Sequence, residues 1–162
     1  MNIHTGYLPG CIGRVTQLHA QYYARAVGFG VAFEAKVATE LAAFCASYQP
    51  DRDGLWLAEQ GGDIHGSLAI DGAPVATTGC AHLRWFITSD ASRGQGLGTR
   101  LLDTGMRFCR ERGYHRVALW TFDELHVARH LYEKQGFRLA RTQRGSQWGK
   151  EVNEQLFVIG NL

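Results

Sequence analysis

Residues 92–102 read SRGQGLGTRLL, and this stretch decides the fold. Three glycines fall at alternate positions, 94, 96 and 98, directly behind Arg93. An apolar stripe at helical spacing starts at once, with Leu97, Leu101, Met106 and Cys109, Phe108 beside it, and Gly113 ending the run. A glycine turn that feeds a helix N-terminus aims several free backbone N–H groups at one point, which suits an anion. The P-loop spacing G-x-x-x-x-G-K-[ST] is not met, because the turn holds no lysine. The dinucleotide spacing G-x-G-x-x-G fails too: Gly94 and Gly96 fit, but position 99 is Thr. The plain alternative is a turn that only starts a helix.

The surroundings extend the pattern in both directions. Upstream, CAHLRWFIT (80–88) reads as a strand. Downstream, HRVALWTF (115–122) is a nearly continuous apolar run, the mark of a buried central strand. Strand, glycine turn, helix and strand over 80–122 predict a parallel pair. Farther out, GCIGRVTQL (10–18) reads as a strand and HAQYYARAVG as a short helix stopped by Gly28. Phe33, Val37, Leu41, Phe44 and Tyr48 recur at helical spacing up to Pro50. LWLAEQ and DIHGSLAIDG flank Gly61-Gly62 as a hairpin, and GAPVATTG reads as a loop. DELHVARHLYEKQG is a helix with Asp123 as N-cap and Gly136 past its end; FRLARTQ and NEQLFVIG add two strands. The order β-α-α-β-β-β-α-β-α-β-β predicts an α/β (α+β) fold. Its mixed, mostly antiparallel sheet has about seven strands and about four helices.

Composition narrows the function classes. At 162 residues the default is one domain, 1–162, large enough for a core without metals or disulfides. Hydrophobic residues make up 45% and charged residues 20%, an ordinary globular balance. A net charge of +2 spread along the chain leaves no electrostatic footprint for nucleic acid. No apolar run approaches the ~20 residues of a membrane span, and MNIHTGYLPG is not built like a signal peptide. Cys11, Cys45, Cys80 and Cys109 are scattered without a C-x-x-C pair, so reduced thiols in the cytoplasm are expected. His126 and His130 stand four apart, but a metal site needs further ligands, and no metal is expected.

Arg93, Gly96 and Gly98 fill the pattern [RQ]-x-x-G-x-[GA], and ARHLYEKQGF (128–137) fills A-x-x-L-Y-x-x-x-G-F. Together with the element order, these resemble the GNAT superfamily of N-acetyltransferases, most strongly over 80–140. HLRWFITSDASRGQGLG, GYHRVALWTFDELHVARHLYEKQGFRLA and WGKE are similar to the acetyltransferase module fused behind MarR-family regulators. This chain is too short for the winged-helix domain of such fusions, so the expectation is a free-standing enzyme. The resemblance implies a GNAT fold with splayed strands 4 and 5, and acetyl-CoA as donor. It implies transfer to a primary amine, on a small molecule or a peptide, by direct attack without a covalent intermediate. An acyl-CoA-binding sensor without catalysis is the alternative. Many members dimerise, which leaves a homodimer open.

The same resemblance assigns residues. Arg93, Gly94, Gln95, Gly96, Leu97, Gly98 and Thr99 would hold the CoA pyrophosphate, chiefly through backbone N–H groups. Phe86, Ile87 and Thr88 would pair with the pantetheine arm like an added strand. Tyr132 would protonate the departing thiolate, since a phenol stays protonated at neutral pH. Many members carry Asn where this chain has Leu125, so that contact is lost. For the base, His82 comes first, on the strand that bears the base in the histone-acetylating branch. Glu34 on the second helix follows. A partly exposed strand histidine and a solvated glutamate are the plainer roles of these two. Asp123 and Glu124 lie near the end of the central strand. Tyr22, Tyr23, Phe29 and Phe33 either line an acceptor pocket or pack the core.

Overall fold

The computed structural model describes residues 1–160. The seven strands are β1 (Asn2–Thr5), β2 (Gly54–Gln60), β3 (Asp63–Asp71), β4 (Ala81–Thr88), β5 (Arg116–Phe122), β6 (Arg138–Gly145) and β7 (Val152–Gly160). The five helices are α1 (Cys11–Val27), α2 (Val31–Ala46), α3 (Val75–Thr78), α4 (Leu97–Glu111) and α5 (His126–Gln135). One sheet holds all seven strands in the order β1-β2-β3-β4-β5-β7-β6. Every neighbouring pair is antiparallel except β4 and β5. This is the mixed sheet that the strand–turn–helix–strand pattern predicts.

Period-2 alternation splits β2 between two cores. Leu55 and Leu57 face α1 and α2 beside Phe33, Leu41 and Phe44. Trp56 and Ala58 face the other side, with Leu101, Leu102 and Met106 of α4 and Tyr132 of α5. Helices on both faces therefore sandwich the sheet. No helix among the described residues is long and apolar enough to cross a membrane.

Three expectations need correction. Residues 10–18 are not a strand; they begin α1, whose buried residues include Cys11, Val15 and His19, one helical turn apart. Ile12, Val15 and Thr16 favour strands in isolation, but burial of this face against α2, β3 and β4 overrides propensity. The first strand is instead Asn2–Thr5, a short edge strand paired only with β2. At α5 the N-cap is Leu125, without a side-chain bond. Asp123 accepts a hydrogen bond from Asn153 Nδ2 at 2.7 Å and caps nothing. A single turn, α3, stands within the predicted loop.

The position that organises the site is the β4–β5 junction. The two strands pair only at Ala81↔Val117 and His82↔Ala118. Beyond His82 they part, as a GNAT sheet is expected to do. Here the sheet opens from one face to the other.

Candidate active site

The glycine turn leaves its backbone open to close approach. Gly94 and Gly96 take φ of 74° and 72°, the left-handed region that glycine enters freely. A Cβ on either would meet no atom within 4 Å, so their surface is open. The first backbone bond of α4 runs from Arg100 N–H to the Gly96 carbonyl at 3.1 Å. The N–H groups of Leu97, Gly98 and Thr99 therefore have no helical acceptor and converge at the positive end of a 15-residue helix. Gly98 serves a different purpose. A Cβ there would stand 3.1 Å from Leu131 Cδ1 and 3.3 Å from Phe86 Cζ, so glycine lets α4 pack against β4 and α5.

β4 carries an irregularity three residues beyond its last pair with β5. Its register with β3 runs Ala69↔Arg84 and then Ser67↔Ile87, so Trp85 and Phe86 oppose Leu68 alone in a β-bulge. Trp85 has φ of 48°, the sole non-glycine residue with positive φ among those described. The fully buried Ser67 donates from Oγ to the Trp85 carbonyl at 2.6 Å and pins the bulge. The bulge releases backbone groups of Trp85 and Phe86 from the β3 ladder, beside the gap.

Two cavities meet in that gap. One, of about 500 Å³, is lined by Phe86, Ile87 and Thr88 of β4, the turn residues Arg93, Gly94, Gly96, Leu97, Gly98 and Thr99, and the start of α5. The other, of about 250 Å³, is lined by residues of α1, α2, β4 and β5, together with Gln147 and Trp148 from the β6–β7 connection. Tyr23, Phe86 and Leu125 line both. A molecule in the larger cavity can thus touch one in the smaller.

Nine of the ten expected donor residues line the larger cavity; Gln95 does not. Its side chain folds back to the Ala91 carbonyl at 3.3 Å. Arg93 is held by Asp90 at 2.9 Å, with its guanidinium 5.5 Å from the Tyr22 ring centre. Tyr132 and His82 both line the smaller cavity. Tyr132 is buried against Phe86, ring centres 5.8 Å apart. Burial, with Tyr23 nearby, pushes its phenol well above the usual value. Burial, reinforced by Arg84, lowers the His82 imidazole, while Asp71 opposes.

Glu34 is exposed on α2 and lines neither cavity. It follows the inward Phe33 by one residue, about 100° around the helix. Glu40, about two turns after Phe33, shares the inward side and lines the smaller cavity. It accepts from Arg84 at 2.6 Å and from Lys36 at 2.9 Å, and Arg84 lies 4.2 Å from the Trp85 ring centre. Asp123, Glu124, His126 and His130 are exposed, and of these Glu124 and His126 line the larger cavity. Sequence reasoning missed His19, Glu40, Arg84, Trp85, Gln147 and Trp148. The available signals were the Cys11/Val15/His19 spacing for His19 and the Phe33/Val37/Glu40 spacing for Glu40.

Residues 15–137 match the profile of the acetyltransferase (GNAT) family. The chain belongs to this family. Rat N-acetyltransferase 8 is 36% identical over 103 residues, which are 62% of this chain and 46% of that protein. Mycothiol acetyltransferase of Cellulomonas flavigena is 37% identical over 100 residues, 61% of this chain and 28% of that one. The chain spans about half the length of the first of these, or less for the second. Among solved structures, a GNAT-family acetyltransferase from Staphylococcus aureus superposes with a TM-score of 0.76 at 16% identity, covering 99% of this chain and 100% of that one. A Salmonella typhimurium protein solved with its cofactor acetyl-CoA gives 0.75 at 15%, covering 100% and 95%. At such identities these likenesses establish a shared GNAT fold.

Proposed function

We propose that this chain transfers acetyl from acetyl-CoA to a primary amine by direct attack. The observation that carries this reading is the meeting of two cavities at Tyr23, Phe86 and Leu125, where β4 and β5 have parted. One cavity has the donor's chemistry. Its free N–H groups and helix N-terminus suit a pyrophosphate. The Phe86–Thr88 edge suits the amides of a pantetheine arm. A freed N–H at the bulge suits the thioester oxygen as it gains charge. Arg93 adds a cation beside the phosphates.

The other cavity receives the amine. The amine lone pair forms the new C–N bond, the C–S bond breaks, the nitrogen gives up a proton and the sulfur takes one. Tyr132 supplies the sulfur's proton, because its raised value keeps the phenol protonated through the neutral range. His82, lowered and therefore neutral, takes the proton from nitrogen. Glu34 and Gln95 have no part in these steps. The amine is on a small molecule or a peptide. The finer similarity to MarR-fused modules rests on the quoted stretches alone. A cytoplasmic setting rests on the scattered cysteines.

The test has two stages. Acetyl-CoA is expected to raise the melting temperature, and no rise at millimolar ligand refutes the donor site. Release of free CoA thiol is then followed over amino acids, polyamines, aminoglycosides and peptides. Amine-dependent release supports transfer. Binding without release from any amine favours a sensor of acyl-CoA instead.

A further inference from the structure

His19 is a buried polar side chain of α1. It is 5% exposed and lies in the middle of the helix. Its Nδ1 stands 2.8 Å from the Val15 carbonyl oxygen. A carbonyl only accepts, so Nδ1 carries the proton and Nε2 keeps a lone pair. Among the described residues, Thr16 Oγ1 is the one sealed polar side-chain atom without a partner. Among the described residues Nε2 bonds no protein group, so it is not one of the sealed atoms, and the ring lines the smaller cavity. The ring stacks on Tyr23 with centres 6.2 Å apart and planes 19° apart. Tyr23 belongs to the junction of the two cavities, which brings Nε2 to the acceptor side of the gap.

We propose that His19 is a catalytic residue of the acceptor side, whose Nε2 accepts a hydrogen bond from the attacking amine. This rests on the transferase reading above. A neutral primary amine has N–H groups to donate besides the lone pair that attacks. With one N–H held by Nε2, the lone pair is turned toward the gap. As the C–N bond forms, the nitrogen gains positive charge and donates more strongly. The bond to Nε2 therefore tightens toward the transition state, where binding accelerates reaction. Burial pushes the imidazole down to about 4, against the opposing bond to Val15, so it stays neutral and ready to accept. His19 is thus not the proton's destination. The proton lost by nitrogen is balanced by the one gained by sulfur.

Two variants test this in the intact chain. His19→Phe keeps a ring against Tyr23 and removes the lone pair. His19→Gln restores an oxygen near the position of Nε2. For an amine that the wild-type chain acetylates, His19→Phe is expected to lose about 10- to 100-fold in kcat/KM for the amine, the size of one charge-assisted hydrogen bond. The KM for acetyl-CoA stays within about twofold, and His19→Gln recovers most of the loss. Equal turnover by His19→Phe and wild type overturns the assignment, as does a His19→Gln variant that folds but is no better than His19→Phe. Wild-type chain inactive toward every amine sinks the transferase reading itself, and this role with it. Should His19→Phe not fold, nitrogen-15 spectra of the wild-type imidazoles decide. Adding a substrate amine to the CoA-bound chain should shift the His19 Nε2 signal, and an unmoved signal overturns the proposal.

Discussion

Ser67→Ala is the sharpest probe of the bulge that opens the site. The Ser67 hydroxyl is fully buried and donates to the Trp85 carbonyl at 2.6 Å. That carbonyl lies outside the β3–β4 register, between Ala69↔Arg84 and Ser67↔Ile87. Removing the hydroxyl leaves a buried carbonyl without its donor, which costs about 1–3 kcal/mol. The bond also holds Trp85 at φ 48°, a conformation that disfavours an L-residue by about 1–2 kcal/mol. Without the bond, that strain favours a flatter β4 and closes part of the gap. At about 3 °C per kcal/mol for a chain of this size, the melting temperature should fall by about 3–9 °C. The second readout is turnover of the folded variant, which should drop with KM for acetyl-CoA raised, because Phe86–Thr88 lose their alignment. Thermal unfolding by circular dichroism and steady-state thiol release measure the two effects. A variant with wild-type melting temperature and wild-type turnover would refute the claim that Ser67 sets the bulge.

Other consequences follow from named contacts. Gly98→Val forces branched carbons into space where a Cβ already stands 3.1 Å from Leu131 and 3.3 Å from Phe86. Overpacking of about 1–3 kcal/mol should appear as lower stability and weaker acetyl-CoA binding by calorimetry. Gly96→Ala meets no atom but strains a residue at φ 72°, so a loss of about 1–2 kcal/mol in stability is expected on denaturant titration. Tyr132→Phe should lower kcat while leaving KM for acetyl-CoA nearly unchanged. Because the Tyr132 phenol lies above its usual value, its ionisation should set no alkaline limb in the neutral pH–kcat profile. Asp53 contributes to acid stability. Burial raises its carboxyl, but Arg52 at 2.8 Å and the N–H groups of Gly72 and Gln49 outweigh this and hold it below the usual carboxylate value. Its folded value is the lower one, so its stabilisation is complete above the unfolded value and lost as pH falls through the folded one. Asp53→Asn should flatten the fall of melting temperature below about pH 4.

The glycine-turn side of the candidate site was legible because it is local. Arg93, Gly96 and Gly98 lie within one turn, and the orphan N–H groups of a helix start follow from the backbone alone. The parallel pair β4–β5 was legible from strand, turn, helix and strand in succession. β1 was not, since Asn2–Thr5 is mostly exposed and becomes a strand only by pairing with β2. Residues 10–18 misled because Gly10, Gly13, Val15 and Thr16 suppress the helical signal, although Cys11, Val15 and His19 keep its period. Divided between a strand over 10–18 and a helix from His19, that period does not show the buried face to which His19 belongs. The smaller cavity gathers side chains from α1, α2, β4, β5 and the β6–β7 connection. Which of them meet depends on the sheet order and on the bulge at Trp85, neither of which any single stretch encodes. Glu34 and Glu40 show the same limit: the two glutamates stand on one helix, and only its rotation against β4 makes Glu40 the one that meets Arg84.

Paired assay of acetyl-CoA binding and thiol release on one preparation tests the central claim that donor and acceptor meet in the β4–β5 gap. The chain should bind acetyl-CoA, release little thiol alone, and release it in proportion to acetylated amine once a suitable amine is added. Tight binding of acetyl-CoA with no amine-dependent release across the whole panel would contradict it.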